Sequence, residues 1–185
     1  GGDEVPLALR QIGYEVTLLK DFIFYPENLK KYNAVIVGVR AYNTLDRIPV
    51  YHSKLLDYVK DGGNLIVQYN TNADVKVNPG PFPLKLSRDR VTVEGAEVRF
   101  LLPNHDVLNK PNKLTARDFD GWVQERGLYF PNEWSKEYQA ILSSNDPGDP
   151  ASDGSLLVAK YGKGNFVYTG LSLFRQLPAG VPGAY

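Results

Sequence analysis

The run Ala34-Val-Ile-Val-Gly-Val39 is almost continuously apolar, and runs of this length and kind mark strands covered on both faces, as in parallel sheets. A second such run, Asn64-Leu-Ile-Val-Gln-Tyr69, follows it. Between the two, Val50, Leu55, Leu56 and Val59 repeat at helical spacing from Pro49 to Lys60, and Asp61-Gly62-Gly63 supplies a stop. Upstream, Asp3 suits an N-cap and Pro6 a first turn, while Val5, Ala8, Leu9 and Ile12 keep helical spacing as far as Gly13, which predicts a helix over 4–12. Glu15 to Leu19 is short and β-favouring, and Pro26-Glu27 opens a brief helical turn that ends near Tyr32. Helix, strand, helix, strand, helix, strand is the order of an α/β domain with a mostly parallel sheet and helices on both faces.

Beyond Tyr69 the pattern changes. Residues 72–90 are rich in Asn, Pro and Lys and read as a long excursion. Arg90 to Val93 and Glu97 to Leu101 flank Glu94-Gly95 as an expected β-hairpin. The stretch from Pro103 to Pro131 mixes polar turns with Trp122, Tyr129 and Phe130. Ala140 to Ser143, Ser155 to Tyr161 and Asn165 to Thr169 are the expected closing strands, the last two joined by Gly162-Lys163-Gly164. No internal repeat interrupts this order, and 185 residues fit one domain.

The 21 basic residues are balanced by 21 acidic ones, so no global field favours nucleic acid or an anionic membrane. No apolar stretch approaches the roughly 20 residues of a membrane span. The chain has no cysteine and two histidines. That removes thiol nucleophiles, disulfides and thiolate metal sites, leaves no metal-ligand spacing, and gives no information on redox compartment. No nucleotide loop of the Gly-x-Gly-x-x-Gly or Walker type is present, and no cofactor is expected.

Several stretches together carry a family resemblance: Gly2-Asp3-Glu4-Val5 through Gly13-Tyr14-Glu15-Val16, Tyr32-Asn-Ala-Val-Ile-Val37, Leu56-Asp-Tyr-Val-Lys-Asp-Gly62-Gly63-Asn-Leu-Ile66, and Tyr161-Gly-Lys-Gly164 ahead of Phe166-Val-Tyr-Thr169. They resemble class I glutamine amidotransferase-like domains, ThuA-like proteins in particular. Gly121-Trp-Val-Gln-Glu-Arg-Gly-Leu-Tyr-Phe130 and Leu177-Pro-Ala-Gly-Val-Pro-Gly-Ala184 are similar to the C-terminal module of bacterial PIG-L (LmbE-type) deacetylase proteins. The resemblance implies a flavodoxin-like three-layer sandwich. It also implies that the nucleophilic cysteine of true amidotransferases would fall at Gln68-Tyr69-Asn70, where an amide and a phenol cannot replace a thiolate. Its His and Glu partners have no match in Gly170-Leu-Ser-Leu-Phe174, and Asn104-His105-Asp106-Val107 lacks the proline and second aspartate of the deacetylase zinc motif. A deacetylase site, on this resemblance, belongs to a fused or neighbouring domain, and related multidomain proteins suggest export in a bacterium.

Ligands in open parallel sheets gather beyond the carboxyl ends of the strands. Arg40, Tyr42 and Asn43 after one strand, and Gln68, Tyr69 and Asn70 after the next, therefore form the candidate pocket, the alternative being that they only satisfy loop backbone. Glu125 and Arg126 beside Trp122 offer a sugar platform or, equally, an ion pair over a core tryptophan. His105 is a turn residue or a ligand contact, His52 a helix-surface residue, and Ser172 an ordinary loop serine rather than a nucleophile, because the closing glycine of Gly-x-Ser-x-Gly is missing. The expected function is a non-catalytic accessory module binding a carbohydrate-like ligand or a neighbouring domain. The alternative is a cysteine-independent hydrolase of a sugar derivative that uses His105 with Glu125 or Asp106.

One further expectation concerns the chain ends. In a flavodoxin-like order, Gly1-Gly2-Asp3 falls in the loop after a first strand, which reads as an expression remnant or an internal cut in a longer multidomain protein. An apolar strand is then expected before Gly1 and a helix after Tyr185. Direct pairing of Glu15 to Leu19 with Ala34 to Val39 is the observation that would argue against it.

Overall fold

The computed structural model describes residues 3–19 and 26–185. The helices are α1 (Val5–Gln11), α2 (Pro26–Leu29), α3 (Ala41–Thr44), α4 (Ile48–Lys60) and α5 (Leu173–Gln176). The strands are β1 (Val35–Val37), β2 (Asn64–Val67), β3 (Leu84–Val91), β4 (Val98–Phe100), β5 (Gly127–Trp134), β6 (Tyr138–Ala140), β7 (Leu142–Ser144), β8 (Leu156–Tyr161) and β9 (Gly164–Thr169). A five-stranded sheet runs β1-β2-β9-β8-β6, and two-stranded ribbons pair β3 with β5 and β4 with β7.

The sheet is mixed. β1, β2 and β9 are parallel, whereas β8 runs antiparallel to both β9 and β6. The expectation of a mostly parallel sheet therefore holds at one end only. The other end is built by the hairpin at Gly162-Lys163, which joins Tyr161 to Gly164 as the sequence suggests. Gly162 has φ +58°, and a Cβ there would lie 2.5 Å from the Lys60 carbonyl oxygen, so the turn also closes tightly over the end of α4.

Residue parity explains the two cores. Val35, Val37, Leu65, Val67, Leu157, Ala159, Phe166 and Tyr168 face one side, where α4 supplies Leu55, Tyr58 and Val59 and α2 supplies Leu29. Ile48, Tyr51, Leu55, Tyr58 and Val59 are the buried residues of α4, at the spacing that gives a helix one apolar stripe. Leu156 and Val158 point to the opposite side, against Leu108, Phe119, Trp122, Ile141 and Leu142. A smaller group joins α1 to the C-terminal segment through Val5, Ala8 and Leu177.

Two expectations are corrected. Arg90 to Val93 and Glu97 to Leu101 do not form a hairpin with each other, because β3 pairs with β5 and β4 with β7. The turn is local, but each arm finds more apolar surface with a distant partner: Val91 packs with Phe130 and Ala96, and Val98 packs with Leu142. Residues 15–19 belong to no strand and pair with no described strand, so they do not pair with β1, which ends the sheet. No described helix is long and apolar enough to cross a membrane.

Candidate functional site

β1 and β2 end side by side, and the chain leaves both through polar loops. Gln68 N donates to the Val37 carbonyl at 3.3 Å, and Arg40 N donates to the Tyr69 carbonyl at 2.8 Å. Asp3 locks the two ends together: one carboxylate oxygen accepts from Val39 N and from Gln68 Nε2, both at 3.1 Å, and the other accepts from Val5 N. A Cβ on Gly38 would sit 2.9 Å from that carboxylate, so the close approach depends on glycine there.

Four of the residues expected in the pocket are committed to holding these loops. Asn70, fully buried, accepts from Tyr42 N at 2.9 Å, donates to the Gln68 carbonyl at 2.9 Å, and its backbone N donates to the Tyr168 hydroxyl at 3.1 Å. The Asn43 side chain donates to the Thr71 and Ala73 carbonyls and accepts from Thr71 N. Tyr42 is fully buried, and its hydroxyl meets His52 Nδ1 at 2.9 Å. Burial raises the Tyr42 phenol and lowers the His52 ring, so a protonated phenol meets a neutral imidazole. His52 is thus half-buried and engaged rather than a plain surface residue. Gln68 is held by Asp3.

Arg40 and Tyr69 are placed differently. Arg40 adopts a left-handed backbone, φ +57°, directly before α3, and its side chain is exposed. Tyr69 is half-buried with its ring 6.3 Å from that of Tyr129 at an interplanar angle of 11°, and 4.8 Å from that of Phe174. Tyr129 reaches this position through a bulge. Arg90 faces Leu128 and Asp89 faces Phe130, so Tyr129 is the extra residue of β5, with φ +52°. Phe174 comes from α5, just beyond β9.

Glu125 closes the other side. Its buried carboxylate accepts from Arg175 Nε at 2.8 Å and lies 3.8 Å from Arg90 Nη2. Arg175 also donates to the Gln124 side chain at 2.6 Å, and Gln124, φ +68°, donates through its backbone N to Glu94 at 2.5 Å. Burial pushes the Tyr69 phenol up, while Arg40 and Arg175 draw it down and Glu125 and Tyr129 oppose them. Two arginines and a carboxylate therefore act on one aromatic centre at the strand ends.

Glu125 and Arg126 do not form a pair. Arg126 turns inward, donates to the Ala96 and Phe119 carbonyls, and lies 5.9 and 5.8 Å from the Phe119 and Trp122 rings. Burial lowers its pKa. Trp122 is buried in the second core, which is the core alternative of the sequence reading. His105 caps its own 3-10 turn, Nδ1 accepting from Val107 N at 3.1 Å, and Nε2 meets the Gln139 side chain at 3.3 Å. Asp106 pairs with Lys110. The acid and base of the hydrolase alternative are thus engaged with unrelated partners. Ser172 is fully buried and donates to the Glu125 carbonyl at 2.5 Å, a structural role.

Among the described residues no group of three metal-ligating side chains is gathered. A concavity lies elsewhere, between Phe82, Lys85, Glu133 and Trp134. It is an open groove on the β3–β5 ribbon, away from the strand ends, and its one ion pair, Lys85 with Glu133, is solvent-exposed. Sequence reasoning missed Gln124, Tyr129, Phe174 and Arg175. Phe174 and Arg175 follow the last parallel strand, so the rule that pointed to Arg40 and Tyr69 also reaches them. Tyr129 gave no such signal, because only a bulge brings it here.

The sequence matches no protein-family model and no curated protein. Similar solved structures include the cytoplasmic protein STM1381 from Salmonella typhimurium LT2, at 18% identity and TM-score 0.58, covering 92% of this chain and 76% of that one. A second Salmonella typhimurium protein, STM3548, aligns at 15% identity and TM-score 0.57 over 88% of this chain and 72% of its own. A putative ThuA-like protein from Bacteroides uniformis aligns at 15% identity and TM-score 0.51, over 91% and 73% respectively. At these identities the likeness is one of fold, and it supports a ThuA-like fold.

Proposed function

We propose that this chain is a non-catalytic binding domain on an amidotransferase-like scaffold, and that it receives a carbohydrate-like ligand beyond the carboxyl ends of β1, β2 and β9. The observation that carries this reading is the half-exposed surface of Tyr69, Tyr129 and Phe174 at that edge. Aromatic faces offer apolar area together with a polar hydroxyl, which suits a sugar ring with one hydrophobic face and a hydroxylated rim. Arg175, Glu125 and Gln124 border the rings with donors and acceptors already oriented by one another. The absence of cysteine from the sequence and the burial of Ser172 support binding without a nucleophile.

The resemblance to PIG-L-associated modules supplies the setting: an accessory domain beside a deacetylase domain that acts on a sugar derivative. Chemical-shift titration of the chain with neutral and acidic monosaccharides tests the binding reading. Shifts confined to Tyr69, Tyr129, Phe174 and their neighbours, abolished in Tyr129→Ala, are expected. Shifts centred on the Phe82–Trp134 groove would move the site. No shift with any sugar, but a shift on adding a PIG-L-type domain, would assign this edge to domain contact instead.

A further inference from the structure

Three carboxylates around the aromatic surface, Asp3, Glu125 and Glu94, are already engaged by protein donors. Asp3 accepts from Val5 N, Val39 N and Gln68 Nε2. Glu125 is held by Arg175 and Arg90, and Glu94 accepts from Gln124 N. Arg40 is the opposite case. Its backbone is fixed by bonds to Tyr69 and within the turn into α3, where its carbonyl accepts from Asn43 N, Thr44 N and the Thr44 hydroxyl. Its guanidinium has no carboxylate or carbonyl partner among the described residues.

The backbone at this point is costly for such a residue. Left-handed conformations are disfavoured for long side chains and concentrate at ligand clamps. Among the described residues four non-glycine residues have positive φ: Arg40, Asp74, Gln124 and Tyr129. Two of the four meet Tyr69, through the Arg40–Tyr69 backbone bond and the Tyr129 ring stack, and a third, Gln124, bonds to Arg175, whose guanidinium lies over the Phe174 ring. The fold thus holds an unpaired cation on a strained backbone next to Tyr69, whose ring stacks on that of the strained Tyr129.

Resting on the binding reading above, we infer that the ligand carries an anionic group, a carboxylate or phosphate on a sugar ring, with the ring on Tyr69 and Tyr129 and the anion on the Arg40 guanidinium. Guanidinium presents a planar fork that matches both groups. The Glu125–Arg175 pair would then meet ring hydroxyls, since both its charges are already neutralised.

Chemical-shift titrations of the full chain with glucuronate, glucose 6-phosphate, glucose and inorganic phosphate test the inference, with Arg40→Gln, Arg40→Lys and Tyr129→Ala as variants. Arg40 is exposed, and an unchanged thermal midpoint shows that each variant is folded. The expected result is at least tenfold tighter binding of one acidic sugar than of glucose. Arg40→Gln removes that discrimination while glucose binding stays within twofold, Arg40→Lys restores part of it, and Tyr129→Ala weakens all sugars. Preference for glucuronate over glucose 6-phosphate, or the reverse, separates a carboxylate from a phosphate ligand. Equal binding of acidic and neutral sugars, discrimination that survives Arg40→Gln, or inorganic phosphate binding as tightly as either acidic sugar overturns the inference and leaves the carbohydrate reading standing. Binding of no sugar overturns both.

Discussion

Asp3 shows how one side chain fixes the end of a sheet. It is half-exposed, yet it accepts three hydrogen bonds, two of them from the exits of β1 and β2. Removing the acceptors leaves donors whose loss costs about 1–3 kcal/mol, so Asp3→Ala is expected to lower stability by that amount in urea unfolding. An unchanged midpoint would mean that water replaces the carboxylate freely. His52 gives a pH-dependent counterpart. Burial holds its ring below its ordinary pKa of 6.5, so the unfolded chain takes up the proton more readily than the folded one. Its contribution is complete above pH 6.5 and is lost as pH falls through the lower folded value. Thermal midpoints from pH 7.5 to 5 are therefore expected to drop further for the native chain than for His52→Gln, whose side chain can still accept from Tyr42.

Among the elements, β5 does most to define the site. Its bulge sets Tyr129 in a left-handed conformation, a geometry that costs a residue with a Cβ about 1–2 kcal/mol. Tyr129→Gly and Tyr129→Ala both lose the ring, but glycine relieves the backbone. Tyr129→Gly is accordingly expected to be more stable than Tyr129→Ala by about 1 kcal/mol; the opposite order in chemical denaturation would show that the bulge carries no strain. The segment leading into β5 is clamped to α5 by the fully buried Gln176, which accepts from Val123 N and donates to the Val123 carbonyl and the Ser172 hydroxyl. Gln176→Ala leaves the part-buried Val123 N without its partner, at about 1–3 kcal/mol. It also removes the bonds to the Val123 carbonyl and the Ser172 hydroxyl, which keep their contacts with Glu125. The expected result is a midpoint lower than that of Asp3→Ala, with the Tyr69–Tyr129 surface displaced in the amide spectrum.

At the scale of the molecule the two cores share one sheet. Leu157 and Val158, adjacent in β8, face opposite sides, so neither core can open without disturbing the other's strands. The two tryptophans report on different sides: Trp122 lies in the second core, and Trp134 packs against the first. In Trp122→Phe and Trp134→Phe, each with one remaining tryptophan, fluorescence and far-UV circular dichroism should give coincident urea midpoints. Separate midpoints in either variant would show that the halves unfold independently.

What the sequence alone determined is what local pattern controls. The helix at α4, the runs that became β1 and β2, and the Gly162-Lys163 turn depend on side-chain period and backbone freedom within a few residues, and each was readable in place. The buried stripe of α4 is nevertheless Ile48, Tyr51, Leu55, Tyr58 and Val59, with the expected Val50 exposed and Leu56 half-buried. The absence of a thiol nucleophile was equally plain from composition. Tertiary structure alone decided which strands pair, since β3 with β5 and β4 with β7 are joined by packing between segments far apart in the chain, which overrode the local hairpin signal at Glu94-Gly95. It also decided which polar residues are spent and which are left over. Tyr42, Asn43, Gln68 and Asn70 looked as available as Arg40 and Tyr69 in sequence, but a hydrogen bond depends on where its partner lies. Only the folded chain brings Asp3, Thr71 and Tyr168 to the first group and leaves the Arg40 guanidinium facing solvent.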